Sequence, residues 1–147
     1  TTVNFSELVK DRVKTCRNVY LQGKKLSFKL VIDPEIMISV DPNYMRQVVD
    51  NLVINAINFS EEGTIEVSVQ KQQKSLTFTI MDQGIGIPQN DIYDVFTPFK
   101  MGSNTESKAE GRGVGLALCK SVIEAHDGVI KADSKGRGAI FTFTLPL

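Results

Sequence analysis

Asp41 to Ser60 reads DPNYMRQVVDNLVINAINFS, and its three asparagines decide how the rest of the chain is understood. Asp41 is suited to cap a helix, and Pro42 fits the first helical position, where no N–H is needed. From there Met45, Val48, Val49, Leu52, Val53, Ala56 and Phe59 cover a broad apolar arc at helical spacing. Arg46 and Asp50 fall together on the expected solvent face. Asn51, Asn55 and Asn58 form a second polar line, well over a quarter-turn away from those charges. Asn is a poor helix former, unfavourable by roughly 0.7 kcal/mol against Ala. For a single Asn, bonding to a neighbouring loop would be the simpler account. Three on one line favour a buried site whose ligand needs neutral oxygen donors, such as a hydrated Mg²⁺.

The 147 residues suffice for one domain with a real core. Seventeen acidic residues balance seventeen basic ones, which gives no support to a nucleic-acid or membrane-surface role. No stretch approaches the ~20 apolar residues of a membrane span, and the N-terminal stretch lacks a signal peptide's apolar core. Cys16 and Cys119, far apart and without a histidine cluster, read as reduced core thiols of a cytosolic protein. His126 is the sole histidine, which argues against a His-based triad or a zinc site.

Taken in order, the chain predicts a short edge strand at Val3–Phe5 and a helix capped by Ser6 and stopped by Gly23. That helix should turn Leu8, Val13, Cys16 and Tyr20 inward. Strands follow at Leu26–Ile32 and Ile36–Val40, then the asparagine helix. Thr64–Gln70 and Leu76–Met81 alternate as a hairpin. A loop-rich section, Asp82 to Glu110, contains a short helix near Asn90–Phe96. A helix at Val114–Ala125, a strand at Val129–Asp133, a Gly136-Arg137-Gly138 turn and a strand at Ile140–Leu145 complete the chain.

Two glycine-bearing stretches carry chemistry. Asp82-Gln83-Gly84-Ile85-Gly86-Ile87-Pro88 follows directly on a strand. Its glycines allow a bend and close approach of a flat ligand, and Asp82 offers an acceptor for an exocyclic amine such as N6 of adenine. Alone, this pattern is also an ordinary turn. Gly111-Arg112-Gly113-Val114-Gly115-Leu116 opens the next helix, where exposed N–H groups and the dipole make a seat for phosphate. It is not a P-loop, because Cys119 stands before Lys120-Ser121. Nor is it a dinucleotide fingerprint, which needs Gly at Leu116 and a strand immediately upstream. Between the two lie Phe96-Thr97-Pro98-Phe99, whose phenylalanines would anchor in the core, and the polar stretch Lys100 to Glu110, which has the composition of a lid.

Together these residues resemble the GHKL superfamily of ATP-binding domains, most closely the catalytic domain of sensor histidine kinases. The likeness spans nearly the whole chain. Asn51-Leu52-Val53-Ile54-Asn55-Ala56 is similar to the N box, Asp82 to Ile87 to the first glycine box, and Phe96 to Phe99 to the F box. Gly111 to Leu116 is similar to the second glycine box, and Gly136 to Pro146 to the closing hairpin. The resemblance implies an α+β fold, a two-layer sandwich with a mixed, largely antiparallel sheet and three main helices on one face. It makes residues 1–147 a single catalytic ATP-binding domain of a larger, homodimeric sensor kinase. The domain would be cytoplasmic and would not itself touch the membrane, while the full-length protein has the option of an inner-membrane anchor.

By position, Asn55 would ligate Mg²⁺, with Asn51 beside it directly or through water. Asp82 would read adenine, Gly86 would allow close approach, and Gly113 and Gly115 would supply N–H groups to phosphate. Thr142 would make a water-mediated adenine contact. The resemblance adds Gly84, Phe99, Val114 and Leu116 to the nucleotide-contacting set. Two phosphate-facing cations of the family pattern are replaced, one by Asn58 and the other by Met101. Lys100, Lys108 or Arg112 would have to compensate. ATP-hydrolysing members and several serine kinases of the superfamily carry Glu where this chain has Asn51, an amide that accepts no proton at neutral pH. A neutral imidazole needs no strong base, so the implied acceptor is a histidine on a separate helical hairpin, with a response regulator downstream. The alternatives are an anti-sigma-type serine kinase and a non-catalytic ATP-binding regulator.

Overall fold

The computed structural model describes residues 2–84, 86, 87, 92, 95, 96, 110–134 and 137–147, with residues 110–114 described by their backbone alone. Strand β1 (Thr2–Asn4) leads into α1 (Phe5–Tyr20), then β2 (Lys25–Ile32), β3 (Met37–Ser39) and α2 (Pro42–Phe59). The hairpin β4 (Glu62–Lys71) and β5 (Ser75–Met81) precedes α3 (Glu110–Ala125), β6 (Val129–Asp133) and β7 (Ile140–Pro146). The main sheet runs β2-β4-β5-β7-β6, with β1 and β3 forming a separate ribbon. Only β2 and β4 pair in parallel; the other neighbours are antiparallel. This is the expected mixed sheet.

One face of that sheet builds the core. Ile65, Val67 and Val69 of β4, Leu76, Phe78 and Ile80 of β5, and Phe141, Phe143 and Leu145 of β7 are all buried, at alternate positions. Phe78 stacks on Phe143 at 4.7 Å, and Phe5 of α1 meets Phe143 edge-on at 6.2 Å. The helices pack in a row over this face, α2 between α1 and α3. Its central place explains why α2 is buried on most sides, including Met45, Val48, Val49, Leu52, Val53, Ala56, Ile57 and Phe59. Asp41 caps it as expected, its carboxylate accepting from the N–H groups of Asn43 and Tyr44.

Several local readings change. Asn4 caps α1, accepting from Glu7 N–H at 3.1 Å, and Phe5 begins the helix where a strand was expected. Ser6 is fully buried inside it, donating to the Asp33 carbonyl and accepting from Ile36 N–H. Tyr20 is 42% exposed and its neighbour Val19 53%, because α1 runs a turn past the core. Asp50 does not join Arg46 in solvent; it turns toward α1, where Arg12 grips it through Nε at 2.8 Å and Nη2 at 3.0 Å. The expected helix near Asn90–Phe96, the F box Phe96–Phe99 and the stretch Lys100–Glu110 fall mostly outside the described residues.

Candidate functional site

The site grows from the contact between α2 and α3, which run antiparallel. The N–H of Asp41, at the start of α2, donates to His126 Nε2 at the end of α3 (3.1 Å). That bond puts the imidazole proton on Nδ1, which donates to the Val122 carbonyl at 2.8 Å. Further along, the Cys119 thiol points at the Val48 carbonyl (3.7 Å), and Asn51 Nδ2 donates to the Gly115 carbonyl (3.4 Å). Asn55 lies one turn further along α2, in the direction of the start of α3. Asn55 is only 5% exposed, yet its Nδ2 has no hydrogen-bond partner among the described residues. A buried amide left unpaired costs about 1–3 kcal/mol.

The second component is the loop after β5. Asp82 is buried, and its Oδ1 accepts from both Gly84 N–H and Ala139 N–H at 2.9 Å. The carboxylate is thus fixed before any ligand arrives. Gly84 is explained by packing within the chain: a Cβ there would stand 2.0 Å from the Phe59 carbonyl oxygen at the end of α2. Gly86, at φ +79, needs a backbone that only glycine adopts easily. Ser134 ties this loop to the β6–β7 connection, accepting from Ile87 N–H (3.1 Å) and donating to the Gly138 carbonyl (2.6 Å). Ile87, Val95, Leu116 and Phe141 are buried nearby in sequence or register, and Phe96 meets Phe141 edge-on at 6.1 Å.

The glycine-rich stretch is placed differently from the expectation. Helix α3 begins at Glu110, one turn before Val114, so the glycines lie within its first turns. The N–H groups without an intrahelical acceptor are those of the first four residues, which include Arg112 and Gly113. Gly115 and Leu116 lie deeper, where backbone N–H groups pair inside the helix. Gly115 instead gives room to Asn51, whose Cγ would lie 3.4 Å from an added Cβ. Leu116 is a core residue.

The structure therefore brings Asn51 against Gly115 of α3, with Asn55 one turn further along α2, and joins Asp82, Gly84 and Gly86 in the loop after β5. Asn58 is exposed. Thr142 is not brought to Asp82: it pairs with Thr79 and Lys131 on the sheet face away from the helices. Ala139, three residues earlier, is the β7-side neighbour of Asp82: its carbonyl accepts from Asp82 N–H, and its own N–H donates to the Asp82 carboxylate. Phe99, Lys100, Met101 and Lys108 lie outside the described residues. Sequence reasoning missed Ser134 and Ala139, whose signal is only the strand register that sets them beside the loop. A cavity of about 670 Å³ lies along β6 and the outer face of α3, lined by Ile92, Phe96, Lys120 and residues 130–133. None of Asn51, Asn55 and Asp82 lines it, so the chemistry is assigned to the α2–α3 cleft.

Thiol chemistry has no part in this cleft. Burial pushes the Cys119 thiol up to about 12. Cys16 is likewise raised to about 12 by burial and by the nearby Asp50 carboxylate. Both remain protonated thiols at neutral pH. Among the described residues no group of three or more His, Cys, Asp or Glu side chains could cage a metal. A cation here would have to be shared between substrate oxygens and an amide. Asn55 fits that need, since a half-turn of its amide presents an oxygen from the same buried position.

Comparison with known proteins shows the family and the fold. Residues 40–147 match the family described as histidine kinase-, DNA gyrase B- and HSP90-like ATPase. The sensor protein KdpD of Clostridium acetobutylicum is 41% identical over 130 residues, covering 86% of this chain and 14% of that protein. The sensor histidine kinase WalK of Bacillus subtilis is 34% identical over 149 residues, covering 98% of this chain and 24% of its own length. The chain thus spans a quarter or less of these relatives. A mycobacterial sensor histidine kinase, MprB, shares the fold at a TM-score of 0.88 and 24% identity, over 99% of this chain and 97% of the solved one. With the asparagine helix, the Asp82 loop and the mixed sheet all in place, the chain belongs to the histidine kinase-, DNA gyrase B- and HSP90-like ATPase family.

Proposed function

We propose that the chain binds ATP with Mg²⁺ and delivers the γ-phosphoryl group to a histidine on a separate helical hairpin of the same full-length protein. The observation that carries this reading is the buried Asn55 amide, whose Nδ2 has no hydrogen-bond partner among the described residues. Asn55 would hold the cation, with Asn51 beside it, and the leading N–H groups of α3 would face the phosphates. Asp82, oriented by two N–H donors, would accept from the adenine amine. When bound, Mg²⁺ neutralises charge on the phosphate oxygens.

The acceptor follows from what α2 lacks. Its only acidic residue, Asp50, is held by Arg12 on the side facing α1. With amides at Asn51 and Asn55, the helix offers no base to activate water or a hydroxyl. A neutral imidazole nitrogen can attack phosphorus unaided. The bond to the β-phosphate oxygen breaks, ADP leaves with that electron pair, and the imidazole proton passes to solvent. This chain's contribution is then positioning and charge neutralisation. A response regulator downstream and pairing of two full-length copies belong to the same reading.

The test incubates radiolabelled ATP with the chain, with and without the histidine-bearing hairpin of the full-length protein. Acid-labile, alkali-stable label on the hairpin alone is the expected result. Acid-stable label would point to a serine kinase. Intact ATP binding without label would point to a regulatory module, with Asn58→Lys and Met101→Arg as the first restorations to make.

A further inference from the structure

The C-terminal end of α2 has no basic residue in its last turn, and its final carbonyls need partners. Lys24, in the connection between α1 and β2, supplies them. Its Nζ donates to the carbonyls of Ile57 (2.8 Å), Ser60 (3.0 Å) and Asn58 (3.2 Å), so all three ammonium protons are engaged. The segment so gripped is also the backing of the Asp82 loop. Ser60, fully buried, accepts from Gln83 N–H through its hydroxyl at 3.2 Å. Gly84 presses against the Phe59 carbonyl so closely that no side chain fits. Gly84 N–H in turn holds Asp82 Oδ1. A continuous set of contacts therefore runs from Lys24 through residues 57–60 to Gln83, Gly84 and Asp82. Asn55 lies one short step back along the same helix.

We propose that Lys24 is a positioning residue for nucleotide: its three bonds hold the end of α2 against the Asp82 loop and fix the separation between Asn55 and Asp82. The inference rests on the ATP reading above and adds a residue to it. A ligand that touches only one of the two groups is indifferent to that separation. ATP with Mg²⁺, engaging both, is not. Loss of the clamp should therefore weaken ATP far more than adenosine, a difference that general destabilisation does not produce. The charge also matters, because an ammonium at a helix C-terminus opposes the negative end of the dipole.

The experiment compares Lys24→Met with Ser6→Ala in the 147-residue chain. Ser6→Ala removes buried bonds to Asp33 and Ile36, on the β2–β3 side of α1, and touches no part of the clamp. Hydrogen exchange of the Gln83 and Gly84 amides is followed without nucleotide, and ATP with Mg²⁺ and adenosine are then titrated. Lys24→Met should speed exchange at Gln83 and Gly84 by about tenfold or more, with Ser6→Ala leaving those amides near the parent. It should weaken ATP by about tenfold and adenosine by less than about threefold. Unchanged exchange at Gln83 and Gly84, or equal losses for ATP and adenosine, would overturn the proposal. A parent chain that binds neither ligand would bring down the nucleotide reading and the positioning role with it. The exchange pattern would still separate that outcome from a clamp that does not hold the loop.

Discussion

At the scale of single residues, the site depends on a few close approaches that leave no freedom of side chain. Gly138 has φ +85, and a Cβ there would lie 2.0 Å from the Asp82 carbonyl oxygen. Its N–H also donates to the Gly84 carbonyl at 2.9 Å. Gly138→Ala should therefore destabilise the fold by roughly 3 kcal/mol or more, as backbone strain and a clash with an immovable partner combine. Urea unfolding would check this, and a loss under 1 kcal/mol would mean that the hairpin can move away from Asp82. The Asp82 carboxylate satisfies two buried N–H groups, those of Gly84 and Ala139, besides the ligand role proposed for it. Cys119 gives the residue-scale pH prediction. With its folded pKa raised to about 12 by burial, the native state keeps a proton that the unfolded chain releases above its ordinary value near 9. Stability should thus fall as pH rises from about 9 toward 12, by at most ~1.4 kcal/mol per pH unit for this thiol. Cys119→Ala should flatten that limb of a denaturation-against-pH curve.

At the scale of elements, α2 is the part whose neighbours matter most. Its polar positions face different partners: Asp50 meets Arg12 on α1, Asn51 meets Gly115 on α3, and its last carbonyls meet Lys24. The Arg12–Asp50 pair is bidentate and about three-quarters shielded, so Asp50→Ala should cost about 1–2 kcal/mol, more than a typical surface pair. Arg12→Leu in the same background should add little, as a double-mutant cycle would show. The helix itself was legible because its cap, apolar arc and asparagine line all lie within twenty residues. The direction of Asp50 was not, since periodicity shows that two stripes differ but not which neighbour each one meets. The cap of α1 was misplaced for a related reason. Ser6 has the right chemistry for a cap, yet its hydroxyl is used by Asp33 and Ile36, some thirty residues away. The start of α3 differs from the expected one because glycines read as loop, whereas here they lie inside the helix, with Gly115 facing Asn51.

At the scale of the whole molecule, strand alternation announced β4, β5 and β7 clearly, because each buries one face and exposes the other. The sheet order was not contained in any local pattern. The parallel pairing of β2 with β4 requires α2 to cross between them, and this crossing delivers the end of α2 to the Asp82 loop. Thr142 shows the limit of linear reading: it is close to Asp82 in register yet on the other face, while Ala139 is the true neighbour. The proposed nucleotide site requires both Asn55 and Asp82. Its most direct test is titration of a fluorescent ATP analogue, with and without Mg²⁺, against the parent chain, Asn55→Ala and Asp82→Asn. Asn55→Ala should keep its folding stability within about 1 kcal/mol, since the variant also removes a buried amide whose Nδ2 has no partner among the described residues. It should lose the Mg²⁺-dependent part of binding, while Asp82→Asn should weaken binding with or without the cation. Parent-like binding by both folded variants, with the same Mg²⁺ dependence, would contradict the assignment of the site.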